Sequence, residues 1–315
     1  MPGRRISAVF ATDNYETIRP VFERMRKQTI RDEIEIVLVA HSTEAAKEAL
    51  KYRDEFAGVV IVEDPVYELA VARAKGVRAA SAPLVFIGET HAYPHPGMSE
   101  KLANAMEEGW AAVAPGFGNA NPKGTLSWSG FLCDYARWGA GLPGGEIDFL
   151  PSHNVVYRRS VLVSFGERLV HALSLGDGMM ECMREGQHRF YHEPSARIDH
   201  VNTTMGLHWL MERFVVGVLV SSRRAVPWSF LRRLGYVAGS PLIPLVLLWR
   251  IMPGIREATR HAATPPGTIA TSVLATVIRV TGEFFGYAGF PIHRADRRMH
   301  EYELHRLAYL APGKS

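Results

Sequence analysis

Leu84-Val85-Phe86-Ile87-Gly88-Glu89-Thr90-His91 is the stretch of this 315-residue chain that decides the fold. An apolar run bounded by turn residues predicts a fully buried strand. Its carboxyl end would carry Glu89 and His91 to a sheet edge, where open α/β sheets bind ligands. Two residues apart in an extended segment, they would point to the same side and suit a divalent cation such as Mn2+ or Mg2+. A polar loop with an incidental Glu and His is the open alternative.

Predicted strands and helices alternate along the first 90 residues. Their patterns place strands at 6–10, 34–39, 59–62 and 84–87, and helices at 15–28, 43–56 and 69–80. Short loops between such elements predict an α/β fold, with a mostly parallel sheet that helices cover on both faces. The sequence has neither a Gly-x-Gly-x-x-Gly turn after the first strand nor a Gly-Lys-Ser/Thr phosphate loop, which disfavours the common dinucleotide-binding and P-loop folds.

Several segments resemble, in order, the motifs of the family 2 glycosyltransferases, which have the Rossmann-like GT-A nucleotide-sugar-binding fold. Glu89-Thr90-His91 stands in the place of the family's metal-binding Asp-x-Asp, as in a subgroup that carries Glu-x-His there. The other similar segments, which extend the resemblance over roughly residues 6–200, are Ala8–Asn14, Val71–Ala80, Leu150–Arg159, Gly176–Gly186 and His192–His200.

The resemblance implies a site with metal-binding, catalytic, donor-binding and acceptor-binding residues. Glu89, His91 and His200 would bind a divalent metal, Mn2+ or Mg2+, and Asp177 would be the general base. Histidine ligands favour a borderline ion such as Mn2+ more than oxygen ligands alone would. The donor-binding residues would be Thr12, Asn14, His41, Arg73 and Glu89, and the acceptor-binding residues His153, Asn154, Arg158 and Trp128.

The same resemblance implies the reaction. We expect an inverting glycosyltransferase of the hexosyltransferase type, which moves a sugar from a nucleotide-diphosphate sugar to a glycan or lipid-linked acceptor. The expected setting is the synthesis of a cell-surface or exported polysaccharide. The metal would neutralise charge on the leaving nucleoside diphosphate. A carboxylate would take the proton of the attacking acceptor hydroxyl.

Plainer interpretations stay open for these residues. Asp177 lies between two glycines and fits a turn or a helix N-cap. His200 at a strand end is typical of a structural residue, and Trp128 of a core residue. The chain also departs from the family at Ala40-His41-Ser42, where an acid usually contacts the nucleobase. The sugar and nucleobase are therefore unreadable, and a non-catalytic nucleotide- or glycan-binding scaffold at the membrane is the alternative function.

The last third of the chain differs in charge and hydropathy, which predicts a helical region at 205–315 after a catalytic domain at 1–204. Residues 1–200 hold 22 Lys+Arg and 26 Asp+Glu, which leaves 14 and 6 of the chain's 36 and 32 for the remainder. Leu234–Trp249 is uncharged but contains two prolines, and Ile269–Phe290 contains two charges, so neither predicts a regular transmembrane helix. Arginines beside apolar faces predict an amphipathic region in the membrane interface. A helical subdomain or a dimer interface is the alternative.

The remaining features bound the location and the partners. Cys133 and Cys182 form no disulfide framework and favour a reduced compartment, and Met1–Arg5 does not begin a signal-peptide pattern. We therefore expect the protein at the cytoplasmic face of the cell membrane, peripheral or monotopic. No nucleic-acid reader motif accompanies the basic C-terminal part, so nucleic acid is not expected as a partner, whereas a homo-oligomer stays open.

Overall fold

Two compact units make up the chain, and the computed structural model describes residues 3–151, 153–261 and 263–312 of it. The first, the sheet unit, spans Met1–Gly118, Ala140–Ser174 and Gly178–Asp199. The second, the helical unit, spans Asn119–Gly139, Leu175–Asp177 and His200–Ser315. The catalytic-domain boundary between residues 204 and 205 stays a prediction.

A mixed sheet organises the sheet unit, and the predicted α/β fold class is confirmed. Its strands are β1 Ile6–Ala11, β2 Ile34–Ala40, β3 Gly58–Glu63, β4 Leu84–Gly88, β5 Ala92–Pro94, β6 Ala112–Asn119, β7 Gly145–Ile147, β8 Val155–Arg158 and β9 Phe190–His200. They lie in the order β3-β2-β1-β4-β8-β6-β9-β5, with β7 beside β9. The four strands from β3 to β4 are parallel, whereas β8 runs antiparallel to β4 and to β6. The loop before β8 therefore lies at the same edge as the carboxyl end of β4.

The central strands of the sheet are fully buried, which explains the continuous apolar runs in their sequences. Every residue of β1, β2 and β4 is buried. Strands covered on both faces need apolar side chains throughout. A Cβ at Gly88 would overlap the ring of Phe10, which packs edge to face on Phe86 with ring centroids 6.1 Å apart. Glycine is therefore required at the last residue of β4, immediately before Glu89.

Thirteen α-helices occur in the described ranges, and α5 and α9–α13 belong to the helical unit. They are α1 Tyr15–Met25, α2 Thr43–Ala46, α3 Leu69–Ala79, α4 Met98–Met106, α5 Thr125–Tyr135, α6 Arg159–Ser164, α7 Leu169–Leu173, α8 Gly178–Glu185, α9 Gly206–Arg224, α10 Phe230–Gly239, α11 Ile243–His261, α12 Thr268–Tyr287 and α13 Ile292–Leu304. The helical segment predicted at 43–56 is confirmed over residues 43–55, but its type changes, because α2 is followed by a 3-10 helix at Lys47–Glu55.

Close packing of α9 on α12 organises the helical unit. A Cβ at Gly217 of α9 would overlap the backbone of Arg279, and a Cβ at Gly282 of α12 would overlap the backbone of Phe214. The spacing Gly282-x-x-x-Gly286 places both glycines of α12 on one helix face, where two backbones can approach closely. Our reading of the sequence missed this motif.

Two helical segments are long and apolar enough to cross a membrane by length and composition. Phe230–Arg260 contains an apolar window that is 6% buried, and the corresponding window of Thr268–Tyr287 is 39% buried. The two prolines expected to break the first segment change the type of helix without ending the helical run, because Pro241 lies in the first turn of a 3-10 helix, Ser240–Leu242, and Pro244 in the first turn of α11. Proline is tolerated there, since the N–H it lacks has no helical partner.

Candidate active site

Glu89 and His91 lie side by side at the carboxyl end of β4, as the sequence predicts. They occupy a turn between β4 and β5 rather than an extended segment. Oε2 of Glu89 lies 3.9 Å from Nε2 of His91, and both side chains are buried. One carboxylate oxygen and one imidazole nitrogen at this separation can both contact a divalent ion of the Mn2+ class. This pair therefore fits two of the ligands that the predicted metal requires.

Asn154 holds the Glu89 carboxylate in place. Its side-chain Nδ2 donates to Oε2 of Glu89 at 2.6 Å, and its side-chain Oδ1 accepts from the backbone N–H of Glu89 at 3.2 Å. Its own backbone N–H donates to the carbonyl of Ile87 at 2.7 Å. A φ of +60° places Asn154 in the left-handed region, which asparagine tolerates better than most residues. The structure thus gives Asn154 a positioning role toward Glu89, whereas its predicted contact with an acceptor stays a prediction.

Arg73 and His153 form a second buried pair in the sheet unit. Nη1 of Arg73 lies 2.9 Å from Nε2 of His153. Because a guanidinium only donates, this imidazole nitrogen accepts, and the ring is neutral with its proton on Nδ1. A residue predicted to bind the donor is thereby bonded to one predicted to bind the acceptor. Sequence spacing gave no signal for this contact, since eighty residues separate them.

The other predicted site residues of the sheet unit serve local structure. Thr12 donates its hydroxyl to the carbonyl of Asn14 at 2.8 Å, and Asn14 caps α1 by accepting from the backbone N–H of Thr17 at 3.0 Å. His41 is exposed in the turn after β2. Arg158 is committed to backbone carbonyls, with Nε donating to that of Trp110 at 2.8 Å and Nη2 to that of Met106 at 2.6 Å. Their contacts with a donor or an acceptor stay predictions.

His200 is the buried last residue of β9 and belongs to the helical unit. Its Nδ1 lies 3.1 Å from Oδ1 of Asn202. Burial lowers the pKa of His200 to about 3, with a further lowering from Arg306. The ring is therefore neutral near pH 7, and a neutral imidazole is the form that binds metals. Its convergence on the predicted metal with Glu89 and His91 stays a prediction.

Asp177 makes an ion pair within the helical unit. Nε of Arg224 lies 2.6 Å from Oδ2 of Asp177, and Nη1 of Arg224 donates to the hydroxyl of Tyr287 at 3.1 Å. Burial alone would lower the pKa of Arg224, but its bond to Asp177 raises that pKa above the ordinary value. About a third of each side chain of the pair is exposed, 31% for Arg224 and 32% for Asp177. Asp177 is thus a partly exposed carboxylate held by Arg224, and its role as general base stays a prediction.

Trp128 lies in the helical unit and is nearly buried. Its indole N–H donates to the carbonyl of Pro122 at 2.8 Å, and its ring packs edge to face on Phe131 with centroids 5.8 Å apart. A tryptophan whose polar atom is bonded inside the protein is typical of a core residue. The structure favours that interpretation, and stacking on an acceptor sugar stays a prediction.

A buried ionic network, which the sequence pattern did not reveal, involves Glu212 and Arg213 of α9. Glu212 contacts Arg306, and Nη1 of Arg213 donates to both carboxylate oxygens of Asp134 at 2.8 Å. Burial alone would raise the pKa of Glu212, but Arg306 and Arg213 lower it to about 2. An adjacent Glu and Arg inside an apolar helix could have indicated this network, because buried charges occur mainly as pairs.

The chain is similar to one known protein family and to several solved structures. A model of the family described as glycosyl transferase family 2 matches residues 7–165. The mannosyltransferase PcManGT from Pyrobaculum calidifontis, solved with GDP-Man and Mn2+, is similar over 96% of this chain and 87% of its own, with 14% identity and a TM-score of 0.50. GalNAc-T7, solved with UDP, GalNAc and Mn2+, is similar over 64% of this chain and 44% of its own, with 13% identity and a TM-score of 0.50.

S. aureus TarS 1-349, solved with UDP, is similar over 90% of this chain and 92% of its own, with 12% identity and a TM-score of 0.47. A comparison with curated proteins returns no match. At these identities PcManGT and GalNAc-T7, each with a TM-score of 0.50, indicate the fold alone.

Proposed function

The chain belongs to glycosyl transferase family 2, whose model matches residues 7–165, and from this premise we propose that it is an inverting, metal-dependent glycosyltransferase. It would move a sugar from a nucleotide-diphosphate sugar to a glycan or lipid-linked acceptor, in the synthesis of a cell-surface or exported polysaccharide. The observation that carries the proposal is the buried pair Glu89 and His91, held by Asn154 at the sheet edge where this family has its Asp-x-Asp. Nucleotide-bound relatives of the same fold, one with GDP-Man and Mn2+, support the donor class.

Glu89, His91 and His200 are our proposed ligands for Mn2+ or Mg2+. When bound, the metal would neutralise the charge that develops on the departing nucleoside diphosphate. Asn154 contributes by orienting the Glu89 carboxylate, and such supporting partners typically change metal affinity 10–100-fold. The buried guanidinium of Arg73, fixed by His153, is proposed to bind a donor phosphate oxygen.

Asp177 is our proposed general base. Its carboxylate would take the proton of the acceptor hydroxyl as the oxygen attacks the anomeric carbon. The bond from that carbon to the diphosphate oxygen breaks in the same step, so one displacement inverts the configuration. The partial exposure of the Asp177 side chain, 32%, supports this role in one respect, because the acceptor hydroxyl must be able to reach the base.

The test is hydrolysis and transfer by purified protein across a panel of nucleotide-diphosphate sugars, with Mn2+, with Mg2+ and with a chelator. We expect slow release of a nucleoside diphosphate from one donor class, abolished by the chelator and restored by Mn2+. The rival is a non-catalytic scaffold, motivated by the replacement of Asp-x-Asp by Glu89-Thr90-His91. Thermal stabilisation by a donor without any turnover across the panel would favour the scaffold.

We further propose that α10 and α11 attach the protein to the cytoplasmic face of the cell membrane. Several apolar side chains of α10, α11 and the 3-10 helix between them are exposed, among them Leu242, Leu245 and Trp249 at 64%, 66% and 78%. The guanidinium of Arg232 lies 4.2 Å from the ring centroid of Trp228. Arginine and tryptophan beside exposed apolar residues are typical of segments that bury one face in lipid and reach anionic headgroups with the other.

Purified protein is expected to co-sediment with anionic vesicles at low salt, and raised salt should weaken this binding only partly because apolar burial persists. The double change Arg232→Glu and Arg233→Glu should weaken it about 30-fold or more, at about 1 kcal/mol for each basic residue near the surface. Donor hydrolysis should not change.

The change Lys51→Glu with Arg53→Glu is the matched control, since both residues are exposed in the sheet unit. Absence of vesicle binding at low salt would refute the membrane proposal. A dimer in light scattering under the same conditions would instead assign the apolar surface to a second copy.

A further inference from the structure

Five side chains of the helical unit form a polar cluster around the end of β9, which we call the amide cluster: Asn119, Asn121, Ser127, His200 and Asn202. Asn119 ends β6, Asn202 follows β9, and Ser127 lies in the first turn of α5. Asn121, Ser127, His200 and Asn202 are buried. Buried polar groups normally have hydrogen-bond partners. Some of these groups can only donate and others can only accept, and this restricts which atoms in the cluster can be bonded to each other.

Backbone groups fix the orientation of each amide. The backbone N–H of Asn121 lies 3.1 Å from a terminal atom of Asn119, and because an N–H can only donate, that atom is the carbonyl oxygen Oδ1. The backbone N–H of Asn202 fixes Oδ1 of Asn121 in the same way at 2.8 Å. Nδ2 of Asn121 then donates to the carbonyl of Asn202 at 2.8 Å. The hydroxyl of Ser127 lies 3.0 Å and 3.1 Å from these two amide oxygens.

The orientation of Asn202 follows from that of Asn119. The group of Asn202 that lies 3.0 Å from Oδ1 of Asn119 must be a donor, so it is Nδ2, which also lies 3.1 Å from the carbonyl oxygen of His200. The remaining atom, Oδ1 of Asn202, therefore faces Nδ1 of His200 at 3.1 Å. An amide oxygen only accepts, so Nδ1 of His200 carries the proton and Nε2 is the nitrogen with the lone pair.

We propose that Asn202 is a positioning residue that, oriented by Asn119 and Asn121, holds His200 as the Nδ1–H tautomer and so presents Nε2 as the metal-binding nitrogen. The proposal rests on the metal site of the proposed function. Histidine ligands of metals commonly donate the other ring N–H to an oxygen, which fixes the tautomer and the ring angle. Here a side-chain amide supplies that oxygen, and that amide is fixed by a chain of bonds that starts at the backbone N–H of Asn121 and passes through Asn119.

The tautomer can be measured without any metal. Nitrogen-15 NMR of histidine-labelled wild-type protein distinguishes protonated ring nitrogens from unprotonated ones, with His200→Ala assigning the signals. We expect Nδ1–H in the wild type. Asn202→Asp keeps an oxygen facing Nδ1 and should keep this tautomer, whereas Asn202→Leu is of similar size but offers no acceptor and should lose the preference. An Nε2–H tautomer in the wild type would overturn the proposal whether or not any variant folds.

Mn2+ affinity, measured by electron paramagnetic resonance titration, distinguishes the positioning role of Asn202 from the role of His200 as a metal ligand. Asn202→Leu should weaken binding about 10–100-fold, the usual effect of losing such a partner. Asn104→Ala is the matched control, because Asn104 is an exposed asparagine that accepts from Arg5. If His200→Ala weakens binding but Asn202→Leu binds like the wild type, Asn202 has no positioning role and the metal site stands. If His200→Ala binds like the wild type, His200 is not a ligand and this inference fails, whereas the metal site at Glu89 and His91 is tested by its own variants.

Discussion

Asp177→Asn is expected to lower transfer by about 10²–10⁴-fold while leaving donor affinity nearly unchanged. A general base acts on the proton that moves in the transition state, so its loss lowers turnover rather than ground-state binding. Asparagine has almost the same volume and can still accept from Nε of Arg224, which lies 2.6 Å from the native carboxylate. Single-turnover rates with a saturating donor, together with donor affinity from calorimetry, measure the two effects separately.

Two further variants distinguish a base from a structural partner of Arg224. Asp32→Asn removes an exposed carboxylate elsewhere and should leave turnover unchanged. Arg224→Ala breaks the ion pair but keeps the Asp177 carboxylate, so it should cost stability and much less turnover than Asp177→Asn. If Asp177→Asn keeps more than about a tenth of wild-type turnover, Asp177 is a turn residue and its pair with Arg224 is structural.

The arrangement of the sheet was readable because burial imposes a pattern on the sequence. Strands β1, β2 and β4 are buried throughout, and only continuous apolar runs satisfy that environment. The segment 43–56 carries much less information, because Ala49 is the single buried residue of the 3-10 helix Lys47–Glu55. With so little packing, hydrophobic spacing cannot distinguish a repeat of 3.6 residues from one of 3.0.

Residue types at strand ends were likewise readable, but their partners were not. Glu89 and His91 are close in the sequence, so their proximity follows from local geometry. Asn154 reaches Glu89 across 65 positions, and Arg224 reaches Asp177 across 47. Such contacts depend on how β8 and α9 pack, which no local pattern encodes.

Helix-forming ability of the C-terminal region was underestimated for a related reason. The number of prolines in the apolar run 234–249 predicts breaks, because a count ignores where each proline lies in a helical turn. Pro241 and Pro244 each lie in a first turn, where the missing N–H has no effect on the helix. The segment Phe230–Arg260 is consequently helical, and its most apolar window is 6% buried. Exposure of this kind, rather than hydropathy alone, is what separates it from a core helix.

Glu89→Gln is expected to weaken Mn2+ binding and to abolish metal-dependent donor hydrolysis. Loss of a supporting partner lowers metal affinity about 10–100-fold, and loss of a ligand should lower it further. Glutamine keeps the size of the side chain and an oxygen that can accept from Nδ2 of Asn154, which lies 2.6 Å from Oε2 in the native protein. The turn after β4 should therefore fold normally, so that loss of the negative charge is the main change. His91→Ala should act in the same direction, because it removes the neighbouring nitrogen 3.9 Å away.

Mn2+ affinity and thermal stability are measured for each variant, so that loss of metal binding can be distinguished from loss of folding. Glu108→Gln is the matched control, since Glu108 is exposed and accepts from the indole N–H of Trp110, two residues away, at 3.2 Å. If Glu89→Gln and His91→Ala both bind Mn2+ like the wild type, the buried pair is structural and the metal hypothesis fails. Asn154→Ala distinguishes the metal ligands from the residue that orients them, because it leaves Glu89 and His91 in place and removes only the hydrogen bonds that orient Glu89. An intermediate loss of affinity in Asn154→Ala, smaller than that in Glu89→Gln, is the result that a positioned carboxylate ligand requires.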